Sequence, residues 1–365
     1  MKEIPQEMFS SITEKGLHNI RAMSNQKPAE IIGITAMKEA DFPQWYQEVV
    51  VKAGMVEYYT EIAELFVLRL LTMFIWSELR KWFQGHLDGM DIGETSFPLF
   101  LSAKSMAKEK DHIEGFESEL AWPYEDLLAV PIVRGRKTEN ERFAEGYYTL
   151  TLEGYIPFNG RGIQGATSHC LGQNFSKMFD ISVEDPAGPG RIYAWQNSWA
   201  FSTRVIGVMV MIHGDNKDLV LPPRVAQTQI VMVPVGINWK TKAEDKDRLP
   251  NQLYEMRNTL KKSGLRVEVD TLRHNNKKGT MPVAEIAPQA SRLLDQIQKD
   301  MYVKANLAYS QHRKVIDNWE EASPALDSKN MFLIPFCLDG TCEDRIKQLT
   351  TKEDGLGDQE LPQWE

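Results

Sequence analysis

The sequence predicts an α+β protein, and three stretches predict it. From Tyr147 to Pro157, Tyr148, Leu150, Leu152, Gly154 and Ile156 alternate with Thr149, Thr151 and Glu153. That period of two belongs to a half-buried antiparallel strand. Two further strands, Lys177 to Val183 and Arg191 to Trp195, flank the turn sequence Asp185-Pro186-Ala187-Gly188-Pro189-Gly190, and an apolar helix from Val205 to Ile212 follows to back the sheet. Beyond about Ala226 the pattern changes to strand, helix, strand. Gln229 to Val235 is nearly continuously apolar, and a helix from about Glu244 puts Leu249, Leu253, Met256 and Leu260 on one face. Gly264 stops it, and Leu265 to Val269 alternates as a strand. One β-α-β unit of this kind carries a parallel pair, so a second, α/β domain is expected there.

The remaining elements fall around these three. Residues 1 to about 45 are polar and read as a tail or linker, with ordered structure beginning in the stretch of Trp45, Val49, Val50, Val56, Tyr58 and Tyr59. Leu65 to Phe83 spaces Leu68, Leu71, Ile75, Leu79 and Trp82 as one helical face. Thr95 to Leu101 is strand-like with Pro98 inside it, which suits an edge or an interface. Residues 102 to 122 are polar, anchored by Phe116 and Trp122, and the charged run Arg134 to Arg142 reads as a solvated loop. His274 to Thr280 is a basic loop. A second long helix, Ala287 to Lys314, carries Leu293, Leu294, Ile297, Met301, Val303 and Leu307, and the apolar run Met331 to Phe336 precedes Cys337 and Cys342 in a small C-terminal α/β piece.

Between the alternating strand and the apolar helix lies the stretch with most chemical content. Gly160 to Lys177 places Gln164, Thr167, Ser168, His169 and Gln173 among glycines. It is too polar for a core strand by composition, and the glycines allow a ligand close to the backbone, so it reads as a pocket wall. Arg204 closes the run Gln196 to Thr203 where a strand turns into a helix, a position from which a guanidinium can fork onto phosphate oxygens. Taken alone, His169 and Arg204 read as a satisfied structural histidine and a surface ion pair.

Charge and composition exclude several classes. With 365 residues, 42% hydrophobic and 25% charged, the chain can hold two or three domains. A net charge of −9 gives no global basic field, so DNA is not expected as a partner and any RNA contact needs a local patch. The most apolar run, Leu65 to Trp76, holds Arg69 and is followed by Glu78, Arg80 and Lys81, so no membrane span is expected. The first residues contain acids and no apolar segment, against a secretory signal, and three cysteines do not make a disulfide framework. The cytoplasm is the expected location.

The strings Thr167-Ser168-His169, Leu171-Gly172-Gln173-Asn174-Phe175-Ser176-Lys177, Gly214-Asp215-Asn216 and Leu219-Val220-Leu221-Pro222-Pro223-Arg224 resemble the catalytic domain of prolyl-tRNA synthetases of the archaeal and eukaryotic type, which are class II aminoacyl-tRNA synthetases. The resemblance is discontinuous and runs from about Asp41 to Asp354. It implies a class II antiparallel sheet with helices over residues 41–225 after a polar extension, 1–40. An anticodon-binding-like α/β domain would span 226–300, and an incomplete zinc-domain-like region 301–365. Leu68 to Phe83 with Phe97-Pro98 takes the place of motif 1, the family's dimer interface.

What the resemblance implies for chemistry is ATP-dependent formation of prolyl-adenylate and transfer of the prolyl group to tRNA(Pro). Arg204 would act on the ATP phosphates, with Gln164 and Thr203 also on the nucleotide, and Thr167, His169 and Ser202 would line the proline pocket. ATP would enter with magnesium. The implied partners are tRNA(Pro), proline, and a second copy of the chain or a full-length synthetase.

The match also has gaps. Between Trp122 and Tyr124 the family has a segment with a Thr-x-Glu loop for the proline amine and the motif 2 Arg-x-Glu for ATP, and here the only Arg-x-Glu is Arg266-Val267-Glu268. Leu70, Ala166, Cys170 and Ala200 stand where the family has proline, glycine, histidine and glycine. Cys337 and Cys342 remain from the zinc site without the second pair, so they form half a tetrahedral set and zinc is doubtful. A non-catalytic paralogue or shortened isoform that binds tRNA or a full-length synthetase is the alternative function.

Overall fold

A computed structural model describes residues 33–59, 65–95, 123–234, 242–269 and 283–350. In chain order the first elements are α1 (Phe42–Lys52), β1 (Val56–Tyr58), β2 (Phe66–Leu68), α2 (Leu70–Gly89), α3 (Pro123–Asp126), β3 (Ile132–Arg136), β4 (Tyr148–Ile156) and β5 (Arg161–Gly172). The chain continues through α4 (Asn174–Phe179), β6 (Ser182–Glu184), β7 (Arg191–Tyr193), β8 (Gln196–Ala200) and α5 (Arg204–His213). An antiparallel sheet in the order β3-β4-β5-β8 is the centre of this part.

Helix α5 is apolar around its whole circumference because it is buried around its whole circumference. Val205 through Met211 are all buried, and Val208 packs against Gly154 of β4. Trp45, Val49 and Val50 of α1, Ile75 and Leu79 of α2, and Tyr124 and Leu128 complete the same core. Asp41 caps α1 by accepting the Gln44 N–H at 3.1 Å. Residues 33–40, expected as part of a polar tail, also pack here: the buried Lys38 ammonium donates to the Gly214 carbonyl at 2.7 Å and lies 4.5 Å from the Trp45 ring and 4.1 Å from that of Phe158. Burial lowers the Lys38 pKa to about 8, against the pull of Glu39 and Asp215.

The second unit is the expected β-α-β: β9 (Ile230–Met232) and β10 (Val267–Val269) pair in parallel, joined by α6 (Ala243–Lys262). Leu260, Leu265 and Val267 form its small core, with Met256 and Leu294 against it. A long helix, α7 (Ile286–Gln311), leads to β11 (Arg313–Val315), α8 (Ala322–Asp327) and β12 (Met331–Leu333), where β11 and β12 again pair in parallel, and α9 (Gly340–Thr350) follows. Helix α7 runs unbroken across residue 300.

Several expectations are corrected. Leu65 to Leu68 is not helical: Phe66–Leu68 pairs with Val56–Tyr58, and the helix runs instead from Leu70 to Gly89. Arg134 to Arg136 is not loop but the end of β3, held by Leu150, Thr151 and Leu152 of β4. Lys177 to Phe179 is helical, and Asp180 at φ +58° ends the helix before the three-residue β6. Lys314 lies in β11, outside the helix that periodicity extends to it. On α7 the apolar Leu293, Val303 and Leu307 are exposed, the last two at 62% and 59%, while Gln298 is buried. Beside Leu294 on the second core and the buried Ala305 and Tyr309, the helix is held by Gln298, whose amide donates to the Asp126 and Leu127 carbonyls at 3.1 Å and accepts the Arg224 N–H at 3.3 Å. Backbone groups that would otherwise be buried unpaired select a polar residue there. Residues 96–122 and 270–282, which include Thr95 to Leu101 beyond its first residue and the basic loop, lie outside the described residues.

His213 ends α5 and its Nε2 lies 2.8 Å from the Leu128 carbonyl, to which it donates. Burial depresses its pKa to about 4, with Lys38 and Lys304 adding to the effect. The unfolded chain therefore takes up this proton first as pH falls from about 6.5 to 4, and stability is lost across that window by up to about 3 kcal/mol. Urea unfolding at pH 7, 5.5 and 4 should show His213→Gln losing less stability on acidification than the parent chain. An equal loss in both would remove His213 from the acid response.

Candidate active site on the front of the sheet

Strand β5 pairs with β4 on one side and β8 on the other, so its alternate residues are fixed to opposite faces. Composition alone makes this stretch too polar for a core strand; it is nevertheless the central strand, because its polar groups satisfy one another. His169 is 3% exposed, with Nδ1 2.9 Å from Thr149 Oγ1 and Nε2 3.0 Å from Thr167 Oγ1. Thr149 Oγ1 also accepts the Phe143 N–H at 3.1 Å, and the Phe143 ring lies 4.8 Å from the imidazole and 5.8 Å from Phe175. Thr149 and Ser198 stand opposite His169, and Thr151 and Ala200 opposite Thr167. One face of the sheet, its front, is thus a floor of hydroxyls around a buried imidazole, roofed at one end by two phenylalanines.

Gln164 is three residues from Thr167, a spacing that in a regular strand sends the two side chains to opposite faces. A bulge between Ala166 and Gln164 corrects this: Gln164 pairs with Glu153, and Gly165 is the extra residue. The buried Tyr124 ring lies beneath Gly165 so closely that a Cβ there would sit 2.5 Å from Cζ, so only glycine fits. The bulge returns Gln164 to the front, where Thr151 Oγ1 donates to Glu153 Oε1 at 2.6 Å. Lys137 lies just beyond β3, its N–H bonded to the Thr149 carbonyl, and its ammonium donates to Gln164 Oε1.

Arg204 approaches the same end. Ala200 faces Thr167, and β8 runs antiparallel to β5, so the chain beyond Ala200 advances toward Gln164. Ser202, Thr203 and Arg204 are half-buried there, Ser202 Oγ accepts the Arg204 N–H at 3.3 Å, and α5 begins. Gln164, Thr167 and His169 therefore share a face, and Ser202, Thr203 and Arg204 border it. A polar floor with an arginine at a helix N-terminus suits an anionic ligand with a small polar body.

A well-formed cavity lies elsewhere. About 720 Å³ open behind the sheet, between Trp82, Phe83 and Met90 of α2 and the residues Leu150, Ser168 and Trp199. Its walls are mostly apolar, and the hydroxyls and imidazole of the front are not directed into it, apart from an edge at Thr151 and Thr167. It is a hollow between packed layers, and the Thr149, Thr167 and His169 row lies on the other face of the sheet.

The remaining sequence candidates are not at this site. The guanidinium of Arg266 donates to the carbonyls of Ala226, Pro223 and Arg224 at 2.7, 2.8 and 3.0 Å and lies 5.5 Å from the Phe74 ring, so it joins the second unit to the first. Cys337 and Cys342 lie beside Asp339 at the start of α9, where the bond from Cys337 raises the Cys342 thiol pKa. Among the described residues no three His, Cys, Asp or Glu side chains gather to hold a metal. Sequence reasoning missed Lys137, Phe143, Thr149 and Glu153. The period-two pattern that defines β4 already places Thr149, Thr151 and Glu153 on one face. Thr149→Val, which strands one ring nitrogen of the buried His169, should cost about 1–3 kcal/mol in urea unfolding, and a neutral result would show the imidazole satisfied without it.

No family model matches the chain. A candidate proline-tRNA ligase of Saccharomyces cerevisiae is 34% identical over 89% of this chain and 66% of its own length. The chain thus spans just under two thirds of that relative. The cytoplasmic proline-tRNA ligase of Arabidopsis thaliana is 30% identical over 91% of this chain and 87% of its own length. The prolyl-tRNA synthetase of Cryptosporidium parvum, solved with L-proline and AMP, superposes with a TM-score of 0.77 at 28% identity, covering 89% of this chain and 91% of that one. By this similarity in sequence and fold, the chain belongs to the prolyl-tRNA synthetase family of class II aminoacyl-tRNA ligases.

Proposed function

We propose that the chain activates proline with ATP, taken as its magnesium complex, and passes the prolyl group to tRNA(Pro). The observation that carries this reading is the bulge at Gly165, which puts Gln164 on the same face as Thr167 and His169 while Arg204 closes on that end. A proline carboxylate oxygen attacks the α-phosphorus, the bond to pyrophosphate breaks, and a ribose hydroxyl of the tRNA then displaces AMP from the prolyl carbonyl. The nucleophile comes with the substrate, so the protein supplies position and charge.

Arg204 is assigned to the phosphates, where negative charge builds, and Gln164 and Thr203 to the nucleotide. Thr167 and Ser202 are assigned to proline, and His169, with both ring nitrogens engaged, to holding Thr167 in place. The unit around β9, α6 and β10 is read as the anticodon-binding part and α9 with its cysteines as part of an incomplete zinc-domain-like region in which only half a zinc-ligand set remains. The boundaries near 40, 225 and 300 belong to the same proposal, as do a dimer through α2 and a cytoplasmic location. No helix among the described residues is long and apolar enough to cross a membrane.

One observation favours a second reading. The alignment to the Saccharomyces relative spans 457 positions, more than the 365 residues of this chain, so the relative has internal segments without a counterpart here. If a motif 2 arginine is among them, its loss costs about a hundredfold or more in rate, and the chain then serves as a binding protein. Proline-dependent exchange of labelled pyrophosphate into ATP separates the two. Slow exchange that disappears in Arg204→Ala supports the ligase; no exchange from a folded chain supports the binding protein.

A further inference from the structure

On the front of the sheet, Lys137 is a charge without a full counterpart. Its side chain is only 16% exposed, and its ammonium bonds to the neutral amide oxygen of Gln164. The carboxylate near it, Glu141, is 3.9 Å away and is held more closely by Lys347 of α9, at 2.5 Å. Lys347 in turn meets Glu343 at 3.2 Å, and Asn140 reaches Asp344 and the Gly340 carbonyl, both at 3.2 Å. Helix α9 therefore anchors the turn after Lys137 and draws the acid away from it. What remains is a largely desolvated cation beside the glutamine assigned to the nucleotide, at the end of the sheet that Arg204 approaches. Removing a charge from water without matching it is costly, and an anionic ligand offsets that cost.

We propose that Lys137 is a second cation of the nucleotide site, its ammonium taking an anionic phosphate oxygen of ATP across the pocket from Arg204. This rests on the reading of the front face as the ATP site. On that reading Lys137 compensates in part for phosphate contacts that the shortened chain lacks, from its position as the residue that follows β3. A lysine serves as a point charge here and makes no bidentate fork, so it adds attraction without fixing geometry.

The test is calorimetric titration of the full chain with AMPPNP and, separately, with adenosine, which lacks the phosphates. Lys137→Met should weaken AMPPNP about tenfold and leave adenosine unchanged, while Lys137→Arg should stay within about threefold of the parent for both. Unchanged AMPPNP binding in Lys137→Met overturns the proposal, and so does an equal loss of both ligands, which marks a structural role. If the parent chain binds neither ligand, the ATP reading of the front face fails and this inference fails with it.

Discussion

Everything at the candidate site depends on strand β5 being paired along both edges. Hydrogen bonding to β4 over Arg161–Cys170 and to β8 over Thr167–Gly172 fixes which face each side chain takes; the register against β8 shifts between Cys170 and Gly172, and the Gly165 bulge against β4 is the departure that returns Gln164 to the front. That departure depends in turn on the Tyr124 ring filling the space where a side chain would stand. A polar strand at the centre of a sheet is stable only if its groups are satisfied locally, and the Thr149, His169 and Thr167 row meets that condition with two hydrogen bonds and a phenylalanine ring tilted against the imidazole. The same row leaves a rigid floor on which a substrate could rest.

The second unit and α7 meet the first unit through side chains that converge near Asp126, apart from the contacts that α9 makes with Asn140 and Glu141. Arg224 bonds to Asp126 through its side chain at 2.6 Å, Gln298 bonds to the carbonyls of Asp126 and Leu127, and Arg266 reaches the carbonyls of Pro223, Arg224 and Ala226. The Arg224 and Asp126 pair is exposed and contributes at most about 1 kcal/mol. The buried amide of Gln298 matters more, because removing it leaves carbonyls unpaired away from water. This junction lies directly after Pro123, where the resemblance places the shortened segment, so the fold there is tied by α7 from the far end of the chain.

The fold class and the order of its units were legible from periodicity. The β4 alternation, the apolar α5 and the β9-α6-β10 unit all appear where the pattern puts them, because each is decided by the residues it buries. What periodicity misses has a physical reason in each case. Phe66 to Leu68 is apolar enough for a helix but finds a partner strand in Val56 to Tyr58. Arg134 and Arg136 look solvated because their charged ends are, while their backbone completes the sheet. The polar β5 was legible as a site and illegible as a strand, since composition does not reveal which side chains satisfy one another. On α7, the apolar residues that the spacing picks out include Leu294, which packs on the second core, and Leu293, Val303 and Leu307, which are exposed, while the contact at Gln298 is one no hydrophobic pattern can find.

Chemically, the front face and the cavity behind it make opposite offers: hydroxyls, an imidazole and two cations on one side, a mostly apolar hollow on the other. The account places the substrates on the front. Amide hydrogen exchange with proline and AMPPNP added together tests that placement most directly. The account predicts slowed exchange in Gln164 to His169 and at Ser202 to Val205, with α2 unchanged. Slowed exchange confined to Trp82 to Met90 and the region of Trp199 would place the ligands in the rear cavity and contradict it.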